Sequence, residues 1–259
     1  MTGDIGAWLD QAVADGRLRR VDRAFARFLA TLDVNGDPRV LMAAALASRE
    51  LGEGHICVDV EALERIEPSL AGADAWLGAS PLVAVPGGDV AAPLVLEAGW
   101  LYLRRFWRDE ASVAAGIAAR LDTLPVPDEL RQELDRLFVA DGDGPDWQKI
   151  ACAIAVRGSF AVITGGPGTG KTTTVVRLLG LLQILALRSG APRLRVRLAA
   201  PTGKAAARLN ASIAGQIERL DVDDAIKQAI PAEVTTLHRL LGSRPDSRAF
   251  RHDRDNPLH

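Results

Sequence analysis

The stretch from Ile163 to Thr174, ITGGPGTGKTTT, indicates the fold of the second half of the chain. Residues 165–172 match the pattern GxxxxGK[ST] in full. The apolar run at 159–164 predicts a strand before this motif, and residues 170 to about 188 predict a long helix after it. Glycines let the backbone wrap closely around a phosphate, so that successive N–H groups and the positive end of the helix dipole face the anion. The pattern therefore predicts a phosphate-binding loop.

The side chains of this loop have predicted tasks. The Lys171 ammonium supplies a mobile cation to the outer phosphates of a nucleotide, and the Thr172 hydroxyl can ligate Mg²⁺. A lysine in the first turn of a helix opposes the helix dipole and needs an anion to offset it. We expect Lys171 and Thr172 to be the catalytic residues. The predicted phosphate contacts are Gly165, Gly166, Pro167, Gly168, Thr169, Gly170, Lys171, Thr172 and Thr173.

A predicted helix at 146–157 precedes the loop and begins with Trp147-Gln148-Lys149. The Gln148 amide can donate to and accept from an adenine edge at the same time, which makes it a candidate base contact. Taken alone, the residue is equally compatible with an exposed glutamine at a helix N-terminus.

Two further helix starts carry candidate nucleic-acid contacts. Pro201-Thr202-Gly203-Lys204 follows a predicted strand at 194–200 and opens a predicted helix at 201–219, so Lys204 also needs a negative charge nearby. The GxxxxG spacing is absent there, which favours a nucleic-acid phosphate over the same nucleotide. Thr236 and His238, near the start of a predicted helix at 235–242, could contact a sugar-phosphate backbone. The alternative for the latter pair is a helix cap beside a solvated histidine.

The two halves of the chain differ in charge. Residues 1–144 hold 14 Arg and no Lys against 24 Asp and Glu, whereas residues 145–259 hold 17 Lys and Arg against 9 Asp and Glu. The basic half suggests an anionic partner, and the acidic half suggests a protein partner. The polar break at 141–145 is the predicted domain boundary. The first half reads as short helices with extended runs at 55–60, 81–85 and 93–103, the last of which is a predicted hairpin.

Other features exclude several protein classes. Cys57 and Cys152 stand far apart with no paired spacing, which argues against a disulfide scaffold or a zinc module. The longest apolar stretch, 175–187, is short and contains Arg177 and Gln183, and the N-terminus is acidic, so we expect a cytoplasmic protein without a membrane span.

The motifs WQK at 147–149, ITGGPGTGKTTT at 163–174, LAAPTGKAAARL at 198–209 and TLHRLLG at 236–242 resemble the RecD family. That family is the alpha subunit of exodeoxyribonuclease V, the RecBCD helicase-nuclease, in helicase superfamily 1. The resemblance extends along the chain and implies a 5′-to-3′ DNA helicase or translocase of double-strand-break repair and recombination, with ATP and Mg²⁺ as cofactors. It further implies an α/β P-loop NTPase fold at 145–259, a RecA-like motor domain with an incomplete parallel sheet. A mostly α domain with a small β element would precede it at 1–144.

The resemblance also implies contacts for each part. Gln148 would lie on adenine, Thr202, Gly203 and Lys204 on single- or double-stranded DNA, and Thr236 and His238 near the DNA. The acidic half would dock on a RecC-like subunit within a heterotrimer that also contains a RecB-like subunit.

One departure from the family concerns the second acidic strand. A P-loop motor uses a strand that ends in Asp-Glu to hold Mg²⁺ and position water, and residues 205–259 contain no such run. We therefore expect the chain to be an N-terminal fragment, truncated before that strand, that binds nucleotide without hydrolysing it. The alternatives are a P-loop ATPase that is not a helicase and an inert partner-binding fragment.

Overall fold

The computed structural model describes residues 5–87, 92–139, 144–247 and 249–258, and the chain divides into two compact units, 1–118 and 119–259. The predicted boundary at 141–145 lies partly outside the described residues. The division falls earlier because the helix at Leu130–Leu137 packs with the helices of the second unit. No helix in the described part of the chain is long and apolar enough to cross a membrane.

The first unit is mostly helical, as predicted, with one small sheet. A short 3₁₀ turn, Pro68–Leu70, follows its fourth helix. The elements, in chain order, are α1 (Ile5–Ala14), α2 (Arg20–Leu32), α3 (Pro38–Gly52), β1 (Cys57–Asp59), α4 (Val60–Ile66), α5 (Ala73–Gly78), β2 (Val83–Ala84), β3 (Leu94–Glu97), β4 (Trp100–Leu103) and α6 (Arg104–Ala118).

The sheet of the first unit has the order β1-β4-β3-β2. The predicted hairpin is confirmed, since β3 pairs antiparallel with β4. Ala98 and Gly99 form its turn with positive φ angles of 50° and 79°, the conformation that matches the twist of two-residue hairpins. β1 extends the sheet antiparallel to β4, and β2 pairs parallel with β3.

The core of the first unit surrounds α3, which is buried from Val40 to Ser48. A polar cluster fixes α2 against it. The fully buried Asp22 accepts hydrogen bonds from Arg19 Nη2 at 2.7 Å and Ser48 Oγ at 2.7 Å, while Arg19 Nη2 also donates to the Ser48 carbonyl. Burial raises the pKa of Asp22, but the hydrogen bonds outweigh it, so the pKa lies below its ordinary value.

The second unit contains longer helices and a parallel strand pair. Its elements are α7 (Leu130–Leu137), α8 (Trp147–Val156), α9 (Lys171–Arg188), β5 (Leu198–Ala200), α10 (Gly203–Glu218), α11 (Asp224–Lys227), β6 (Val234–Thr236) and α12 (Leu237–Leu241).

Two strand predictions for the second unit need correction, and one observed strand was not predicted. Residues 159–164 form no strand, because no other strand lies beside them in the described chain, and Val162 remains 70% exposed. β5 begins at Leu198 and is shorter than the predicted strand at 194–200. At Leu194 the buried Gln183 side chain takes the place of a neighbouring strand, because it donates to the Leu194 carbonyl at 2.8 Å and accepts from the Leu194 N–H at 3.0 Å. β6 was not predicted, and it pairs parallel with β5. The parallel sheet therefore consists of two short strands within the described residues.

Replacing Asp22 with alanine should lower the free energy of unfolding of the first unit by about 1–3 kcal/mol, because Arg19 and Ser48 lose their shared acceptor. Urea denaturation followed by tryptophan fluorescence measures this, since four of the five tryptophans lie in that unit. As the pKa of Asp22 is lowered by folding, the wild-type contribution is complete above the unfolded pKa of about 3.9 and is lost as the pH falls through the folded pKa.

The control is Asp10→Ala, which breaks exposed pairs with Arg23 and Arg27. It should cost less than about 1 kcal/mol. Equal losses for the two variants would show that the Asp22 cluster does not hold α2 on α3.

Candidate functional site

The glycine loop leads directly into α9, the long central helix of the second unit. Gly170 is the N-cap of α9, with a left-handed φ of 78° and no side-chain cap, and Gly168 is also left-handed with a φ of 76°. The first N–H groups of an α-helix have no partner inside the helix. At α9 they face the loop without a side-chain acceptor, which suits an anion.

Two glycines of the loop permit close approaches that a Cβ would prevent. A Cβ on Gly165 would lie 2.7 Å from the hydroxyl of Thr169, and a Cβ on Gly170 would lie 2.5 Å from the amide nitrogen of Gln148. The Thr169 hydroxyl donates to the Gly166 carbonyl at 2.9 Å, and Gly166 and Pro167 lie on the exposed outer turn. The loop is therefore compact.

The Lys171 ammonium lies inside the loop. Its Nζ atom donates to the carbonyls of Gly165 at 2.6 Å and Gly166 at 2.5 Å. Thr172 follows in the first turn of α9 and is half-buried. Lys171 and Thr172 are thus the first two residues of α9.

Thr173, a predicted nucleotide contact, donates its hydroxyl to Gln216 Oε1 at 3.0 Å and so joins α9 to α10. Gln216 lies 43 residues away in the sequence, and no motif identifies it as a partner. The next residue, Thr174, donates its hydroxyl to the Gly170 carbonyl at 3.1 Å, which stabilises the first turn of α9.

The start of α8 reaches the glycine loop. Asp146 caps this helix by accepting from the N–H groups of Gln148 at 2.9 Å and Lys149 at 3.0 Å. The Gln148 Nε2 atom donates to the Thr169 carbonyl at 3.4 Å. Lys149 instead pairs with Asp135 at 2.5 Å, and this contact lowers the pKa of Asp135. The structure thus brings Gln148, but not Lys149, to the loop.

A cavity of about 520 Å³ lies between the start of α8 and the start of α9. Its wall contains residues from both helix starts and from the loop between them: Pro145, Asp146, Trp147, Gln148, Ala151, Ile163, Thr164, Gly165, Thr169, Lys171 and Thr174. The glycine loop and Gln148, which donates to the Thr169 carbonyl of that loop, both line this cavity.

The second glycine-lysine element begins α10. Thr202 caps this helix, its hydroxyl accepting from the Ala205 N–H at 3.2 Å, and Gly203 and Lys204 are exposed in the first turn. β5 ends at Ala200, which pairs with Thr236 at the end of β6. Because parallel strands end at the same edge of a sheet, α10 and α12 begin side by side.

Thr236 caps α12 by accepting from the Arg239 N–H at 3.2 Å. His238 is exposed, and its ring contacts Phe250 edge-on at 5.8 Å. The Thr202-Lys204 element and the Thr236-His238 element therefore share one edge of the β5–β6 pair. The sequence alone did not indicate this, since β6 was not predicted.

The thiols and carboxylates of the described residues form no metal centre, since no group of three or more His, Cys, Asp or Glu is arranged to hold an ion. Cys152 is a core residue, and burial raises its pKa to about 12. Cys57 is half-buried beside Tyr102, and burial raises its pKa as well.

Two family models match this chain. Residues 14–102 match the N-terminal domain of the RecBCD enzyme subunit RecD, and residues 148–259 match an AAA domain. The RecBCD enzyme subunit RecD of Mycolicibacterium smegmatis is 42% identical over 252 residues, which cover 93% of the chain. The chain belongs to the RecD family.

Two other relatives match shorter parts of this chain. The RecBCD enzyme subunit RecD of Haemophilus influenzae is 42% identical over 175 residues, 64% of this chain and 27% of that protein. The ATP-dependent RecD2 DNA helicase of Deinococcus radiodurans is 38% identical over 98 residues, 38% of this chain and 10% of that protein. The chain spans 43% of the length of the Mycolicibacterium relative. The AAA match supports a P-loop NTPase fold for the second unit.

Proposed function

We propose that this chain belongs to an ATP-dependent 5′-to-3′ DNA helicase or translocase subunit of a RecBCD-type exodeoxyribonuclease, which acts in double-strand-break repair and recombination. One observation carries the proposal: Lys171 and Gln148 both contact the same glycine loop and line the same cavity. A cation for phosphates and an amide for a base edge are the two contacts that an adenine nucleotide needs.

The residues of the loop fit ATP and Mg²⁺. The phosphates would accept hydrogen bonds from the uncapped N–H groups of α9 and from Lys171, whose ammonium would exchange its two carbonyl partners for phosphate oxygens. Thr172 would hold Mg²⁺, which neutralises charge on the phosphates when bound. Gln148 would orient the adenine, and Thr173 would act indirectly by fixing the first turn of α9 to Gln216.

We further propose that the chain binds nucleotide but turns it over slowly. Among the described residues, the cavity wall contains one carboxylate, Asp146, and this carboxylate already caps α8. Hydrolysis by a P-loop motor needs acidic groups that hold the metal and position water. Because the Asp146 carboxylate caps α8, it supplies neither of these two functions.

The edge of the β5–β6 pair is the proposed DNA contact. Lys204 is exposed in the first turn of α10, next to the N-cap Thr202, and the neighbouring helix start adds Thr236 and His238. Cationic and hydroxyl groups at neighbouring helix starts have the chemistry that contacts a sugar-phosphate backbone. A P-loop ATPase that is not a helicase has no need of this second cationic edge, which favours the DNA motor.

The first unit is proposed to dock on a RecC-like subunit of a complex that also contains a RecB-like subunit. The half that contains it is acidic, and α2 exposes Val21, Phe28 and Leu32 at 55–58% of their surface. These residues lie seven and four positions apart along α2, so they share one face of the helix. An exposed apolar face on an acidic unit suits a protein partner and does not suit DNA.

Lys171→Ala should weaken ATP binding to the chain by about ten- to hundredfold, because hydrogen bonds to charged groups contribute about 1.5–3 kcal/mol. Isothermal titration calorimetry with ATP and Mg²⁺ measures this. The matched control is Lys227→Ala, since Lys227 donates to the Glu218 carbonyl and does not line the cavity. ATP binding by Lys171→Ala within about twofold of the wild type would contradict the P-loop assignment. If the wild-type chain hydrolysed ATP rapidly in the presence of DNA and Lys171→Ala did not, the proposal of slow hydrolysis would be contradicted.

Lys204→Ala should reduce the salt dependence of binding to single-stranded DNA, lowering the slope of log affinity against log salt by about one unit. Fluorescence anisotropy with a labelled oligothymidylate at several salt concentrations measures the slope. Lys227→Ala again serves as the control and should keep the wild-type slope. An unchanged slope in Lys204→Ala would mean that Lys204 is a solvated helix residue.

Phe28→Glu should weaken capture of a purified RecC-like subunit by at least about tenfold, because a charge would have to be buried in the interface. Surface plasmon resonance with the full chain measures the affinity. Val113→Glu is the control, since Val113 is also exposed in the first unit but lies on α6. Equal affinities of the two variants for the RecC-like subunit would show that α2 is not part of the docking surface.

A further inference from the structure

Trp147 is an exposed aromatic residue at the edge of the nucleotide cavity. It is the first residue of α8, it lines the cavity together with Gln148 and Lys171, and 72% of its surface is exposed. Leaving an indole in water forfeits the large apolar burial that tryptophan normally provides. An exposed indole beside a polar cavity is therefore suited to ligand contact.

The backbone of Trp147 is fixed relative to the phosphate loop. Asp146 caps α8 immediately before it with two hydrogen bonds, and Gln148 immediately after it donates to the Thr169 carbonyl. The Gln148 amide also lies so close to Gly170 that a Cβ there would be 2.5 Å from Nε2. Trp147 thus lies between two anchored residues in the wall of the cavity.

We propose that the indole of Trp147 is the face on which the base of the bound nucleotide stacks. This inference rests on the proposed nucleotide site and assigns its base-binding half. An aromatic face stacks on every base, so Trp147 contributes affinity without selecting the base. The Gln148 amide reads the edge of the base, so it supplies the preference for adenine. The two adjacent residues therefore divide affinity and selectivity between them.

The other use for Trp147 is as part of an exposed apolar face of α8. Ile150 and Ile154 are also exposed on this helix, Ile154 at 63%, but neither lines the cavity. Ile154→Ala is therefore the matched control, because it removes an exposed apolar side chain from the same helix at a position away from the cavity.

The test measures binding of ATP, GTP and inorganic tripolyphosphate, each with Mg²⁺, to the 259-residue chain by isothermal titration calorimetry. Trp147→Ala should lose affinity for ATP and GTP alike, on the order of tenfold or more. Its affinity for tripolyphosphate, which has no base, should stay within about twofold of the wild type. Trp147→Phe should keep most of the nucleotide affinity, and Ile154→Ala all of it.

Fluorescence provides a second readout. The other four tryptophans, Trp8, Trp76, Trp100 and Trp107, lie in the first unit. Stacking should change the emission of Trp147 when ATP binds, and Trp147→Phe should abolish that change.

The outcomes separate this inference from the proposed function. If Lys171→Ala loses ATP but Trp147→Ala binds ATP like the wild type, the stacking role is wrong and the P-loop site stands. If Trp147→Ala loses tripolyphosphate and ATP equally, the residue supports the fold of the site, which also overturns stacking. If the wild-type chain binds no nucleotide, the proposed function fails.

Discussion

The second unit depends on the electrostatics at the beginning of α9. Gly170 gives the helix no side-chain cap, and Lys171 adds a full positive charge in the first turn, where the helix dipole is already positive. The carbonyls of Gly165 and Gly166 offset part of this charge. The same helix contacts α7, α8, α10 and α11, so the charged turn is built into the element that organises the core.

Two polar side chains of α9 fix this helix to later parts of the chain. Gln183 is fully buried in α9, and its amide replaces a strand neighbour for Leu194 while donating to the Ala229 carbonyl at 3.3 Å. Thr173 joins the first turn to α10. The two residues bind the first turn and the later half of α9 to later parts of the chain, so the glycine loop leads into a helix that is fixed at two separate points.

Local sequence signals predicted the elements that local interactions determine. The hairpin at 93–103 and the glycine loop before a long helix follow from short-range chemistry, and the structure agrees with both. The prediction of a strand at 159–164 was wrong because apolar composition predicts burial, whereas a strand also needs a neighbouring strand with which to pair. The pairing of β5 with β6 and the bond from Thr173 to Gln216 join residues far apart in sequence, so no local pattern could reveal them.

The two cysteines have a practical consequence for chemical labelling. The thiolate is the form that reacts with maleimides, and burial disfavours it at both Cys57 and Cys152. At neutral pH both native thiols are therefore slow nucleophiles. A cysteine introduced at an exposed position on α10 should therefore react with a maleimide faster than either native thiol.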